Sequence, residues 1–516
     1  MGPLGFTPKI KPNHLLPFTR EKNFPKWYKS VLKEGKLAQN SAVSGCMNIL
    51  KNGVAIWEKI TSEFNQILNE QDLATNHYFP IFIPAKFFEK EAASDHMKGF
   101  APECAVVTHL RMIKNADGKM IPDPNSKLEE PLVVRPTSEL IIGEFFRETI
   151  LEDNELPLKV NQWANVVRAE HHTRPFLRTM EFLWQEGHCA FANKDEAMEN
   201  ALKMAQVYAA FMINVCALPV IIGEKSEEER FAGAERTFCL EAMMQDGKAV
   251  QAGTSHYLGQ NFAKMSDIQF KNKNNVKCNV ETTSWGISTR LIGCLIMSHA
   301  DDYGMRIPPR LAKVHIIVIP SGKKSEARDE YIANIQKVFL ETKERFFDQK
   351  ICIRVNNSDK GPGSKQWDAV REGYPIIMRI GNREVAEKSI MFHRRDEDPN
   401  QHTTLSEMHI DEIVPFFIKT LGEIQSNYLA QAEQFRNQHI RRDIKTEEEL
   451  IEFFSDPNNK GFVRAKWSED SQSEKDLKGT YGITIRCLPF DQDGVEGTCI
   501  LTGKPATKEA IFAKAY

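Results

Sequence analysis

The sequence runs to 516 residues, with 67 Lys and Arg, 70 Asp and Glu, a net charge of −3 and 41% hydrophobic residues. That length exceeds one hydrophobic core and implies roughly two to four domains. The even charge balance excludes a uniformly basic nucleic-acid binder, so any nucleic acid must meet a local patch. No apolar run reaches the roughly 18–20 residues of a membrane span. The ten cysteines form no C-x-x-C pair, which disfavours zinc and suits reduced thiols in the cytoplasm. MGPLGFTPKIKPNH has no signal-peptide core, and Phe6 breaks the myristoylation pattern.

In chain order, Phe24, Trp27, Tyr28 and Leu32 predict a short docking helix after a polar, Pro/Lys-rich start. Apolar residues from Ile49 to Leu68 recur at helical spacing. HYFPIFIP (77–84) reads as a buried strand, FFEKEAASDHM as a helix-like segment and FAPECAVVTH as a strand. LRMIKNADGKMIPDPNSKLEE, with its Asp-Gly and Asp-Pro steps, is a hairpin tip or loop. PLVVRPTSELIIGEFFRETI gives a strand, a turn at Pro136 and a helix with Thr137 and Ser138 as capping-type residues.

The stretch from Asn165 to Phe191, NVVRAEHHTRPFLRTMEFLWQEGHCAF, reads as two strands joined by a basic loop. Arg168 and Glu170 share one face of the first strand. Arg178, Met180, Phe182, Trp184, Glu186 and His188 share one face of the second by the period of two. Aromatics beside arginines and carboxylates are poor core material, because an unpaired buried charge is costly. They suit a flat, anionic ligand such as a nucleotide, although a salt-bridged hairpin face is the plainer alternative for this stretch alone.

Further on, 195–215 is an amphipathic helix, and 237–259 two strands around a turn at Gln245 to Lys248. Residues 285–304 read as a helix entered through small residues, with Arg290 in its first turn, and PPRLA (308–312) as a boundary. Beyond it VHIIVIP, a charged helix from Ser325 to Phe347, ICIRV, GPGSKQWDAVREG, PIIMRIG and HIDEIVPFFIKTLGEIQ alternate as in an α/β domain. Residues 430–516 give a charged helix, a Lys/Asp/Ser-rich loop and short strands near Ile483 to Pro489. GPGSKQ lacks the phosphate-loop spacing, and no G-x-G-x-x-G follows a strand.

FAPE, RPTSE, FLWQEGH and GTSHYLGQNF occur together in this one chain. On these residues the sequence resembles, over nearly its whole length, a prolyl-tRNA synthetase of the eukaryotic and archaeal type, a class II aminoacyl-tRNA synthetase. SAVSGCMNIL to YFPIFIP (about 42–84) is similar to motif 1, which carries the dimer interface. VVRAE…FLRTMEFLWQEGH (about 165–191) is similar to motif 2, and WGISTRLIG…PPRLA (about 285–312) to motif 3. The resemblance implies an α+β protein with an antiparallel-sheet catalytic domain over 1–311. An α/β anticodon-binding domain would follow over 312–428 and a small α+β C-terminal domain over 429–516. It implies activation of L-proline with ATP and Mg2+ to prolyl-adenylate, transfer to tRNA(Pro), and a homodimer in which Phe64, Ile67 and Leu68 extend the apolar stripe. Too few residues separate motifs 2 and 3 for an inserted editing domain of the bacterial kind.

By the resemblance, Arg168 and Arg290 are the catalytic arginines. Thr137 and Glu139 would hold the prolyl amino group, with Glu103, Trp184, Phe231 and His256 around the ring. Arg168 would bridge the α-phosphate and the proline carboxylate. Phe182 would stack on adenine against Arg290, with Glu170, Arg178, Thr179, Gln251 and Ser288 completing the ATP site; Ser288 also borders the amino acid. Arg383 and Glu384 match anticodon-reading positions, but Val370 and Ile377 stand where a base-contacting Glu and Arg are usual. Further departures are Ser288 for a common Thr, Ala252 for a frequent Gly, ERTFCLEAM for a Thr-rich strand, and a motif 2 loop one residue short.

Two alternatives remain at this level. One is another synthetase of the same subgroup, such as threonyl, against which the absence of clustered Cys/His ligands argues. The other is a synthetase-like regulator that binds tRNA without charging it, against which the presence of Arg168, Phe182 and Arg290 argues. Relatives often carry zinc in the C-terminal domain. Cys487 and Cys499 are isolated here, so no zinc is expected; Ile483, Ile485, Leu488, Phe490 and Phe512 should form an apolar core, with Tyr516 near the catalytic domain.

Overall fold

A computed structural model describes residues 14–92, 104–406 and 412–516. Seven strands make its central sheet: β1 (Thr75–Asn76), β2 (Leu158–Val167), β3 (Glu181–Phe191), β4 (Val220–Glu224), β5 (Arg236–Met243), β6 (Ala249–Gly259) and β7 (Glu281–Ser288). Their spatial order is β4-β5-β6-β7-β3-β2-β1, antiparallel throughout except for the β1–β2 edge pair. The period of two read along β3 is realised: Gln185 faces one side, where its Oε1 accepts from the Tyr208 hydroxyl at 2.5 Å, while its even-numbered neighbours face the other. Strand β7 lies between β3 and β6, with Gly187 directly opposite Trp285. A Cβ on Gly187 would stand 2.2 Å from the indole ring, so only glycine lets Trp285 lie across the strand.

The longer helices of this part are α1 (Phe24–Glu34), α2 (Lys51–Glu70), α3 (Glu139–Thr149), α4 (Lys194–Asn214) and α5 (Arg290–His299). Helix α4 starts where the Asn193 side chain accepts from Glu196 N, with Asp195 and Glu196 in its first turn. It lays Ala201, Met204, Ala205, Tyr208 and Phe211 on the back of the sheet. Helix α2 then packs on α4, with Phe64 at 5.2 Å from both the Tyr208 and Phe211 rings. This corrects one expectation: Phe64 and Leu68 are fully buried within their own chain and are not available to a second copy.

Two other readings change. Trp285 to Ser288 end a central strand, and the helix begins only at Arg290, because β7 is flanked by strands on both sides and largely buried. HYFPIFIP is mostly not strand: Phe82–Pro84 alone pairs, and Tyr78 is exposed. Phe82–Pro84 joins Lys127–Val134 and Val106–His109 in a three-stranded sheet, beyond which Met112–Lys114 pairs Met120–Pro122 in a hairpin. Tyr78, Phe82, Val106, Leu110, Met112 and Met120 form an exposed apolar set on these segments.

The next five strands form a separate sheet: β8 (Ile316–Pro320), β9 (Ile353–Val355), β10 (Ile376–Ile380), β11 (Ile390–Arg394) and β12 (Thr403–Leu405), in the order β9-β8-β10-β11-β12. The first three run parallel and are covered by α6 (Glu326–Glu341), α7 (Pro362–Glu372) and α8 (Ile413–Gln438), the α/β alternation expected.

The C-terminal part does not stand apart. Strands β13 (Ile440–Arg441), β14 (Phe462–Lys466), β15 (Thr484–Pro489) and β16 (Glu509–Ala513) extend the central sheet, because β15 pairs with β4 through Gly223–Pro489 and Glu224–Leu488. The result is one eleven-stranded sheet. Helices α9 (Glu447–Ser455) and α10 (Ser471–Tyr481) complete this part, so the polar stretch read as a loop holds a strand and a helix. Ile483, Ile485, Leu488 and Phe512 are buried as expected; Phe490 is 42% exposed and meets Phe238 edge-on.

Beneath the join lies a buried ion cluster. Glu241 accepts from Lys225 Nζ at 3.0 Å and from Arg486 Nε and Nη2 at 3.0 and 3.1 Å. Burial opposes the charge on Glu241, yet the two cations hold its carboxyl below the usual range. Among the described residues no helix is long and apolar enough to cross a membrane.

Candidate active site

On the sheet face opposite α4 the even-numbered side chains of β3 form the floor of a cleft of about 270 Å3. Register fixes its rows. Glu186 stands opposite Gly286, and His188, Ser284, His256 and Thr237 run in line across four strands. A register shift between Leu240 and Glu241 sets Glu241 opposite Gln251 and Leu240 opposite Gly253, which leaves Ala252 as the extra residue; all three of Gln251, Ala252 and Gly253 line the cleft.

One end is acidic and closely bonded. Thr137 Oγ1 donates to Glu139 Oε2 in a short hydrogen bond. Glu186 Oε1 accepts from Ser138 Oγ at 2.5 Å and Gln162 Nε2 at 2.6 Å, and its Oε2 lies 3.0 Å from His188 Nε2. Burial disfavours the charged form of Glu186, but His188, Ser138 and Gln162 hold its carboxyl below the usual value. Burial alone would lower the His188 imidazole; the Glu186 hydrogen bond and the charge of Glu139 raise it above its usual value. Glu186 and His188 therefore neutralise each other, leaving Glu139 and Glu229 as the other carboxyl side chains that line the cleft. Phe231 stacks on His256 at 4.4 Å, and His256 Nδ1 lies 3.0 Å from Thr237 Oγ1. Burial, with His188 and Arg168 nearby, pushes His256 down to about 3, so it is neutral.

The other end is cationic. The Arg168 guanidinium lies over Phe182 at 5.5 Å and Trp184 at 5.2 Å, anchored by Nε to Pro136 O at 2.8 Å. Arg290 donates to Leu177 O at 3.1 Å and Gln251 O at 3.3 Å, and its own N–H to Ser288 Oγ at 3.2 Å. One cleft thus offers a carboxylate with a hydroxyl, an aromatic floor and two arginines: sites for an ammonium, a planar ring and phosphate.

Of the residues singled out in the sequence, Thr137, Glu139, Arg168, Phe182, Trp184, Phe231, Gln251, His256, Ser288 and Arg290 all line this cleft. Glu170 and Arg178 stand outside its lining as an ion pair at 3.6 Å, and Thr179, which donates to Glu181 O, borders a neighbouring cavity. Glu103 lies outside the described residues. Glu186, His188, Glu229, Thr237 and Ser284 line the cleft without having been assigned a role. The first two continue the period of two from Phe182; Ser284 is visible only through register, and nothing distinguishes Glu229 in the run EKSEEER. In the second sheet's domain Arg383 is exposed and paired with Glu387 at 2.9 Å. Glu384 is buried and accepts from Gly381 N at 2.7 Å, so its carboxylate caps a helix and does not face solvent; Val370 and Ile377 are core. Cys487 packs in one apolar cluster and Cys499 in another, and no group of three or more His, Cys, Asp or Glu among the described residues is placed to hold a metal.

An antiparallel sheet floored by motif 2, walled by motif 3 and followed by a mixed α/β domain defines a class II aminoacyl-tRNA synthetase. The profile of the tRNA synthetase class II core domain (G, H, P, S and T) matches residues 121–299, that of the anticodon binding domain 315–420, and that of the prolyl-tRNA synthetase C-terminal domain 450–516. The proline–tRNA ligase of Protochlamydia amoebophila is 47% identical over 508 residues, covering 96% of this chain and 98% of the relative. That of Paramagnetospirillum magneticum is 47% identical over 503 residues, with the same coverage. The crystal structure of prolyl-tRNA synthetase from Cryptosporidium parvum with L-proline and AMP superposes with a TM-score of 0.86 at 31% identity, over 98% of this chain and 97% of that one. The chain belongs to the prolyl-tRNA synthetase family, the proline–tRNA ligases. The relatives at 47% identity are bacterial, so its sequence kinship is not confined to eukaryotes and archaea.

Proposed function

We propose that Glu139 and Thr137 take the secondary ammonium of proline, that Trp184, Phe231 and His256 wall its ring, and that Arg168 bridges its carboxylate to the α-phosphate of ATP. Adenine stacks on Phe182 with Arg290 beyond, and Gln251 and Ser288 border the nucleotide. The neutral His256 adds no positive charge beside the ammonium. The proline carboxylate attacks the α-phosphorus in line, pyrophosphate leaves, and the adenylate passes its prolyl group to the 3′ end of tRNA(Pro). No side-chain nucleophile is needed; position and charge neutralisation carry the step. ATP enters as its Mg2+ complex, the phosphates supplying most of the ion's ligands. The observation that carries the reading is the convergence of the Glu139–Thr137 pair and two arginines on one aromatic floor. Arg168→Ala should lower proline-dependent ATP–pyrophosphate exchange at least roughly a hundredfold, about 3 kcal/mol, with the fold retained. Near-normal exchange would refute the assignment.

The remaining features follow the same reading. The division into 1–311, 312–428 and 429–516 is supported by separate apolar clusters in the second and third segments. The eukaryotic and archaeal layout is supported by the short connection from motif 2 to motif 3, which α4, β4, β5 and β6 largely fill. A homodimer is supported by the exposed apolar arm around Leu110, Met112 and Met120, which a second copy would cover. Ten free thiols suit a reducing cytoplasm. Arg383 remains the candidate for reading an anticodon guanine.

A further inference from the structure

The first half of the connection from β4 to β5, Lys225 to Phe231, delivers two side chains, Glu229 and Phe231, to the acidic end of the cleft. Its ties to the catalytic sheet include the buried Lys225–Glu241 ion pair and the packing of Phe231 beside Leu258 and Phe262. Lys225 N and Phe231 N donate to the O and Oγ1 of Thr237 at 2.9 and 3.1 Å, and Glu229 N to Ser226 Oγ at 3.3 Å. Helix α10 adds a second set of ties. Ser226 Oγ donates to Glu474 Oε1 at 2.7 Å, Lys475 Nζ pairs with Glu228 at 2.9 Å, and Lys478 Nζ with Glu229 at 2.5 Å. Lys225 Nζ also donates to Arg486 O at 2.7 Å, in the strand that follows α10. Lys225, Ser226, Glu228 and Glu229 therefore each make a side-chain contact with α10 or β15. Phe231, two residues on, is the ring stacked against His256.

We propose that helix α10 acts as a clamp that positions the Lys225–Phe231 loop, and through it the wall of the amino-acid pocket, with Glu474, Lys475 and Lys478 as positioning residues for proline binding. The three lie within a turn and a half of one helix, and each grips a different residue of the loop. Glu474 is the central tooth: it is 3% exposed, its Oε1 takes the Ser226 hydroxyl, and its Oε2 has no hydrogen-bond partner. A buried carboxylate with one oxygen unsatisfied is costly in isolation. Here Ser226 is the junction, donating to Glu474 while accepting from Glu229 N, so the clamp sets the backbone at the residue whose side chain enters the cleft. Burial raises the Glu474 carboxyl above its usual range; the Ser226 hydrogen bond lowers it, and the neighbouring Glu229 and Glu228 add to the rise. Lys478 works against that rise.

The inference rests on reading this end of the cleft as the proline pocket, and the experiment separates the two. Steady-state exchange is measured on the full chain while proline and ATP are varied independently. Glu474→Ala, and the reversal Lys475→Glu with Lys478→Glu, should each raise KM for proline about threefold to tenfold, leaving kcat and KM for ATP within about twofold. A merely structural role would lower the folded fraction, and so kcat, without moving KM for proline. Lys475→Glu alone should also raise KM for proline, and Glu228→Lys combined with it, which restores the ion pair in reverse, should remove most of that rise. Phe231→Ala serves as the control: if it leaves KM for proline unchanged, the pocket reading fails. If Phe231→Ala raises KM but the α10 variants do not, the clamp alone is overturned. Failure of the charge swap to recover KM would equally overturn the part given to Lys475.

Discussion

Glu241 is the sharpest test of how the C-terminal part is held. Its two oxygens meet Lys225 and Arg486 in a site where all three side chains are nearly inaccessible to solvent. Two opposite charges about 3 Å apart attract by roughly 5 kcal/mol at an effective dielectric of about 20. Dehydrating each ion offsets much of that, so the intact cluster contributes little net stability. Removing the shared anion is different, because two cations then remain buried without a counter-charge. Glu241→Gln should therefore cost about 3–5 kcal/mol. The triple replacement Lys225→Met, Glu241→Met and Arg486→Met should be far milder than that single change. Urea titration, with hydrogen exchange followed at the β4–β15 backbone pairs, reads both. A Glu241→Gln protein as stable as the parent, or a triple variant less stable than the single one, would refute the reasoning. The sign with pH follows: the Glu241 carboxyl is depressed on folding, so its contribution is complete above the unfolded value near 4.3 and is lost as pH falls through the folded one.

Two further outcomes are expected. The parent should sediment at twice its 58.9 kDa chain mass, and Leu110→Glu with Met112→Glu should return it to a monomer; an unaltered sedimentation coefficient would remove that arm from the interface. His299 and His315, buried and pushed down to about 4 and about 3, are neutral in the folded chain. Their contribution is complete above the unfolded value near 6.5 and is lost as pH falls toward those values, on the order of 3 kcal/mol for His299. His299→Gln should flatten the fall of thermal midpoint between about pH 6 and 4; an unchanged slope would speak against it.

The cleft was legible because β3 is amphipathic in the strict sense, with Phe182, Trp184, Glu186 and His188 on one face and Gln185 turned to α4. Trp285 to Ser288 misled because a strand packed between neighbours in a buried sheet needs no alternation, and its small residues resemble a helix entry. Phe64 and Leu68 carry an apolar stripe that says only that something covers them; that it is α4 of the same chain depends on a contact far away in sequence. Glu384 fits a motif position, yet its carboxylate answers a local need, the bare N–H groups at a helix start. The pairing of β4 with β15 was illegible for a deeper reason: strand composition does not name a partner that lies hundreds of residues on.

That pairing has a consequence for how the chain is made. Until residues 484–489 leave the ribosome, β4 is an edge strand with unpaired N–H and C=O groups. Glu241 and Lys225, beneath it, likewise lack Arg486 until then. At synthesis rates of about 5–20 residues per second the interval is on the order of 10–50 s, far longer than local strand pairing takes. During that time the nascent catalytic sheet presents an open margin to any other extended chain. Closure of the margin, and with it full formation of the extended sheet that floors the cleft, waits for a strand made long after β4.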